Sequence, residues 1–159
     1  MPGRLLPRTP RERGLRERGG FVSPPSPLLS AVGAVALGGA LGATARWGLG
    51  ELVPDGSGWP TTTLAINLVG CFLLALLPAW GPVRRSPTLA AGLGPGLLGG
   101  FTTLSAYSEQ ARSLASDGRV GLAAAYVGGT LLGCVAAVAL ARAWTGPPDP
   151  VVLGEVDHA

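Results

Sequence analysis

Between residues 28 and 142 the chain alternates long apolar runs with short stretches of turn residues and arginine. Four runs stand out, over 28–50, 61–80, 89–115 and 120–142. Each is long enough to cross the hydrocarbon core of a bilayer as a helix, and few charges interrupt them. Only 13% of the 159 residues are charged, about half the share usual in soluble proteins. The pattern predicts an all-α membrane protein with four transmembrane helices.

Polar and small residues inside the runs fall on helical faces. In the first run Ala34, Gly38, Gly42 and Arg46 recur every four residues, a stripe that lets another backbone approach closely. The second run carries Thr63, Asn67 and Cys71 on one face, and the fourth carries Tyr126, Thr130 and Cys134. The third run differs. Gly92, Gly94, Pro95, Gly96, Gly99 and Gly100 weaken its helical hydrogen bonding, and Thr102, Thr103, Ser105, Tyr107 and Ser108 follow at once. A helix broken at its middle, at the Gly99–Gly100 pair, is the expectation for this run.

The flanks change the picture only in part. Residues 1–27 are rich in Arg, Gly and Pro without a periodic apolar face and read as a disordered cytoplasmic extension, and 145–159 as a disordered acidic tail. The four-helix region between them is 28–144. A secretory signal is the competing reading of the N-terminus, but the apolar run after it is too long and ends in no small-residue cleavage site. All twelve basic residues are arginine, and six lie within the first 18 positions. The net charge of +3 is therefore a topology signal rather than a nucleic-acid surface. It predicts both termini in the cytoplasm. Without the extension the count is three against three, Arg84, Arg85 and Arg142 opposite Arg46, Arg112 and Arg119. Cys71 and Cys134 read as small packing residues, and His158 receives no role.

Polar groups within a membrane are expensive and face a partner helix or a watery path. Interhelical glue explains any one of them. A midplane break explains more, because it frees carbonyl and N–H groups that hydrocarbon cannot satisfy, and such breaks occur where they bind an ion or line a cavity. The path offers neutral donors, Asn67, Thr103, Ser105, Tyr107, Tyr126 and Thr130, with Glu109 the one acid inside the runs. Neutral donors can replace the hydration shell of a small anion without trapping it. The chemistry supports a narrow path for a strongly hydrated anion and leaves the ion unnamed. No nucleophile–base pair or His/Glu metal cluster lies in the runs, so an enzyme is not expected.

The segments GGALGATARW, TLAINLVGCFLLALL and GLLGGFTTLSAYSEQ resemble the Fluc (CrcB) family of fluoride channels, over about residues 28–142. The resemblance implies an antiparallel, dual-topology-type dimer with two pores and a structural sodium ion at its centre. It implies a passive channel of the bacterial plasma membrane that lets fluoride leave the cell and lowers its toxicity. Matched position by position, it implies that the backbone carbonyls of Gly99 and Thr102 hold the sodium ion. Asn67, Thr103, Ser105, Tyr107, Tyr126 and Thr130 then line the fluoride path, and Arg46 stands at the vestibule.

The chain departs from the family pattern at three places. Leu104 and Tyr107 stand where phenylalanine is usual, and Gln110 stands at the usual acid, with Glu109 one residue earlier. These departures and the arginine bias give the expectation of a fixed-orientation subunit that pairs with an inverted homologue; a homodimer is the other arrangement. The alternative function is a small four-helix multidrug-type transporter, whose signature is a glutamate deep in the first helix. No acid lies between Leu28 and Gly50.

Overall fold

The computed structural model describes residues 27–145. Apart from Pro27 and Thr145, the expected extension and tail lie outside the described residues. Among the described residues all regular structure is helical. Helix α1 spans Pro27–Leu52 and α2 spans Thr61–Leu76, extended by a 3₁₀ turn over Leu77–Ala79 where Pro78 removes a helical donor. Two short helices follow, α3 over Gly81–Arg85 and α4 over Pro87–Ala91. A π-helical segment covers Gly92–Leu98 and α5 covers Gly99–Phe101. The last described helices are α6, Leu104–Ser116, and α7, Val120–Thr145.

Among the described residues three helices are long and apolar enough to cross a membrane, over Leu28–Leu52, Thr61–Ala79 and Val120–Thr145. They turn large apolar residues outward, among them Leu37, Leu41, Leu131 and Leu132. A soluble protein would bury such residues, whereas lipid is as apolar as leucine. The third apolar run is a string of short helices rather than one rod, and the physical causes are local. Pro95 has no N–H to give its helical acceptor and its ring crowds the preceding turn. The segment widens to accommodate it, and the Gly99 N–H bonds to Gly94 O, five residues back. The interruption itself differs from the sequence expectation. Gly99 is helical (φ −66°, ψ −35°), while Thr102 and Thr103 are extended, with ψ of 158° and 117°. Gly92, Gly96 and Gly100 serve packing against α1, and the two threonines make the break.

That packing is with α1, which runs along the π-segment and α5. The predicted stripe is the contact line. Gly92 lies against Ala34, and Gly38 lies against the Gly92 carbonyl and the Leu97 N–H. Gly42 lies against Leu97 and Phe101, and a Cβ there would stand 2.8 Å from the Phe101 nitrogen and overlap the Leu97 carbonyl. Helix α2 packs on α7, and α7 on α6. Gly118, the described residue with a positive φ (76°), turns the chain between α6 and α7. There the Arg119 N–H reaches Leu114 O at 2.9 Å and the Gly118 N–H reaches Ala115 O at 3.1 Å.

Backbone contact at Gly42 sets a test. Gly42→Ala has no side-chain end to push aside and should destabilise the protein by about 1–3 kcal/mol or abolish its folding. Gly33, which has open space around its Cβ position, should accept alanine with no loss. Thermal unfolding of both variants in detergent checks the contrast.

Candidate functional site

The break is held by side chains from three helices. Asn67, buried on α2, donates from Nδ2 to Thr103 O (3.0 Å) and accepts the Thr103 N–H at Oδ1 (2.8 Å). Thr103 caps α6 by accepting the Ala106 N–H at Oγ1 (3.1 Å), and its hydroxyl lies 3.2 Å from Ser105 Oγ. Thr102 closes the upstream turn, since its N–H and its hydroxyl both donate to Leu98 O, at 3.0 and 2.9 Å. From α1, Arg46 Nε donates to Gly100 O (3.2 Å).

These bonds divert two helical donors. In an unbroken helix the Thr103 N–H would serve Gly99 O, and the Ala106 N–H would serve Thr102 O. Both go to side-chain oxygens instead. The Gly99 and Thr102 carbonyls are thereby deprived of their ordinary partners, an arrangement with the oxygen donors that a hard cation takes.

A second polar cluster lies one turn away on the same helices. Thr63 stands one turn before Asn67 on α2, and Gln110 lies further along α6. Gln110 Nε2 donates to Asp55 Oδ2 (3.0 Å) and to Thr63 Oγ1 (2.9 Å), while Oε1 accepts the Tyr126 hydroxyl (2.8 Å). Tyr126 is wholly buried, edge-on to Trp59 with ring centroids 5.8 Å apart and 5.4 Å from Tyr107. Tyr107 donates its hydroxyl to Val127 O (3.1 Å). One turn beyond Tyr126, Thr130 is buried with an Oγ1 that has no hydrogen-bond partner. Leu104 is 77% exposed, and Glu109 pairs on the surface with Arg112, Nε to Oε2 at 2.8 Å.

The structure thus brings Asn67, Thr103 and Ser105 together at the break, with Gly99, Thr102 and Arg46 on its upstream side. Tyr107 and Tyr126 meet in the second cluster. Sequence reasoning missed Asp55 and Gln110 as site residues and gave Thr63 only a place on a face. The available signal was an acid in the loop before a Pro-Thr-Thr-Thr helix start. Pro60 occupies the N-cap of α2 and brings no side-chain acceptor. Asp55 replaces it, accepting from the Thr62 N–H (2.7 Å), the Thr63 N–H (3.1 Å) and the Thr63 hydroxyl (2.8 Å). Burial, the largest single influence, pushes the Asp55 carboxyl up. The hydrogen bonds from Thr62, Thr63 and Gln110 together outweigh it and hold the group below its ordinary 3.8.

Two outcomes follow. Asn67→Ala leaves a buried N–H and a buried carbonyl of Thr103 without partners, and should cost about 2–4 kcal/mol in chemical or thermal unfolding. The stabilisation by Asp55 is in force above the ordinary carboxylate value and is lost as pH falls through the depressed one. The melting temperatures of wild type and Asp55→Asn should therefore differ at neutral pH and draw together as the pH falls from about 4 through the depressed value.

The pattern described as "CrcB-like protein, Camphor Resistance (CrcB)" matches residues 33–142. A protein of Cereibacter sphaeroides named fluoride-specific ion channel FluC is 42% identical over 126 residues, covering 74% of this chain and 98% of that one. Fluoride-specific ion channel FluC 1 of Streptomyces coelicolor is 39% identical over 142 residues, covering 87% and 92%. The FluC protein of Paracoccus denitrificans is 43% identical over 108 residues, covering 65% and 85%. The match spans α1 to α7, the interrupted segment included, and the chain belongs to the CrcB family of bacterial membrane proteins, whose named relatives are channels and not enzymes.

Proposed function

We propose that this chain conducts fluoride across the cell membrane, outward along the gradient of a fluoride-loaded cytoplasm. The observation that carries the reading is the helix interruption at Thr102–Thr103, held open by side chains and flanked by neutral hydroxyl and amide groups. Fluoride is small and strongly hydrated. A path must offer it hydrogen-bond donors in place of water while holding it weakly enough to let it leave. Asn67, Thr103, Ser105 and Thr130 supply such donors from three helices, while Tyr107 and Tyr126 line the same path with hydroxyl protons already given to Val127 O and Gln110 Oε1. The buried, unpartnered hydroxyl of Thr130 favours a passing ligand over interhelical glue, because glue would satisfy it.

In this reading the string α4–π-segment–α5–α6 makes the fourth crossing, and two chains assemble antiparallel. The Gly99 and Thr102 carbonyls, whose helical donors are diverted, fit a sodium ion between the subunits. The ion would supply positive charge and cross-subunit bracing at the dimer centre. Arg46, bonded through Nε to Gly100 O, leaves its terminal guanidinium nitrogens for the vestibule. Exposed Leu104 and the arginine-rich N-terminus favour an inverted homologue as the partner.

Liposomes containing the purified chain, in sodium and with chloride as the control ion, test the reading with a fluoride electrode. Fast efflux that excludes chloride is expected; silence, with or without an inverted homologue, returns the multidrug-type alternative. Thr130→Val removes a buried hydroxyl at constant shape. It should leave stability unchanged or raise it by about 1 kcal/mol, while fluoride efflux falls about tenfold through loss of one donor.

A further inference from the structure

We propose that Asp55 is a positioning residue of the permeation path, acting through Gln110 to withhold the Tyr126 proton from a passing anion. The proposal rests on the fluoride reading above. Its basis is a chain of hydrogen bonds in which each donor is committed in turn.

A carboxylate has no proton to give, so Asp55 can only accept. Its Oδ2 takes the Thr63 hydroxyl at 2.8 Å, which commits the one proton of Thr63. Thr63 Oγ1 is then left with lone pairs only. The carboxamide of Gln110 faces both oxygens, at 3.0 and 2.9 Å. Only the nitrogen end can satisfy two acceptors, so both Nε2 hydrogens are committed and the amide orientation is decided by chemistry. The oxygen end must point the other way, where it meets Tyr126 Oη at 2.8 Å and takes its proton. The negative charge at Asp55 thus fixes which atom of Tyr126 remains available. Beyond Gln110 the hydroxyl offers lone pairs, which repel an anion.

The position of Asp55 suits this role. It lies in the loop between α1 and α2, anchored by the Thr62 and Thr63 N–H groups. The positive end of the α2 dipole holds it there as a carboxylate. An acid at position 110 would bring its own charge to the tyrosine. This chain carries glutamine there and draws the charge from a loop, one link further from the path.

The Tyr126 hydroxyl is released by any change that frees the Gln110 amide to turn over. Asp55→Asn gives the amide a partner that can donate as well as accept. Gln110→Met removes both amide atoms while leaving the Asp55 bonds to the α2 N-terminus in place. Both variants should raise fluoride efflux from liposomes about two- to tenfold, the range of one neutral hydrogen bond regained for the ion. Neither should have that effect in a Tyr126→Phe background. A purely structural role of Asp55 as a cap, or a long-range charge effect, would persist there.

The chain has two tyrosines, so Tyr107→Phe isolates Tyr126 for Raman spectroscopy. The tyrosine Fermi doublet reports whether the hydroxyl donates or accepts. It should read donor with Asp55 intact and shift toward acceptor in Asp55→Asn. An unshifted doublet overturns the proposal whatever the efflux shows. So does unchanged efflux in both variants, or an Asp55→Asn effect that survives Tyr126→Phe. A wild type that passes no fluoride refutes the fluoride reading and the flux role of Asp55 with it, and the doublet then still decides the Tyr126 orientation.

Discussion

The carboxamide of Asn67 gives one donor and one acceptor to the backbone of Thr103, and the interruption of the third apolar run depends on that exchange. Without it the Thr103 N–H would return to the Gly99 carbonyl and the helix would close through the gap. Within hydrocarbon an unpaired amide costs several kcal/mol, so a break can exist only where another group takes over its bonds. Asn67 does so from a neighbouring helix, and the Thr103 hydroxyl completes the work by capping α6. The π-segment and the glycine contacts with α1 then fix where the upstream half lies. Asn67 and Thr103 behave as one mechanical unit although they lie 36 positions apart in sequence.

Much of this was legible in the residues. Long uncharged runs gave the membrane class, and the Ala34–Gly38–Gly42–Arg46 spacing gave the face of α1 that meets the rest of the chain. The interruption was legible in kind but misplaced by a turn. Glycine's poor helix propensity points to Gly99–Gly100, yet both stay helical, and at Gly100 the missing side chain lets the backbone close on Gly39 of α1. Thr102 and Thr103 have no strong tendency to break a helix. The chain opens there because a side chain 36 positions away competes for the Thr103 backbone, and no local rule sees that competition. Asp55 and Gln110 are 55 positions apart and were hidden for the same reason.

The two polar clusters divide the electrostatic labour. At the break every contributing side chain except Arg46 is neutral, which suits a medium where charge is expensive. The full negative charge at Asp55 sits in a loop, with two helix-terminal N–H groups and two side chains around it. A carboxylate so placed can orient its neighbours without standing in an anion's way. The family relationship covers both clusters.

The distribution of side-chain volume in α1 has a consequence for how this chain tolerates change. A soluble core stores its specificity in large residues that interlock, and its surface drifts. Here the residues pressed against a neighbour are Ala34, Gly38 and Gly42, while leucines such as Leu37 and Leu41 look outward. The structural information of the helix is therefore written in absent atoms. Leucine, valine and isoleucine can exchange along the outer face with little penalty, whereas a single added methyl on the inner face reads as an error.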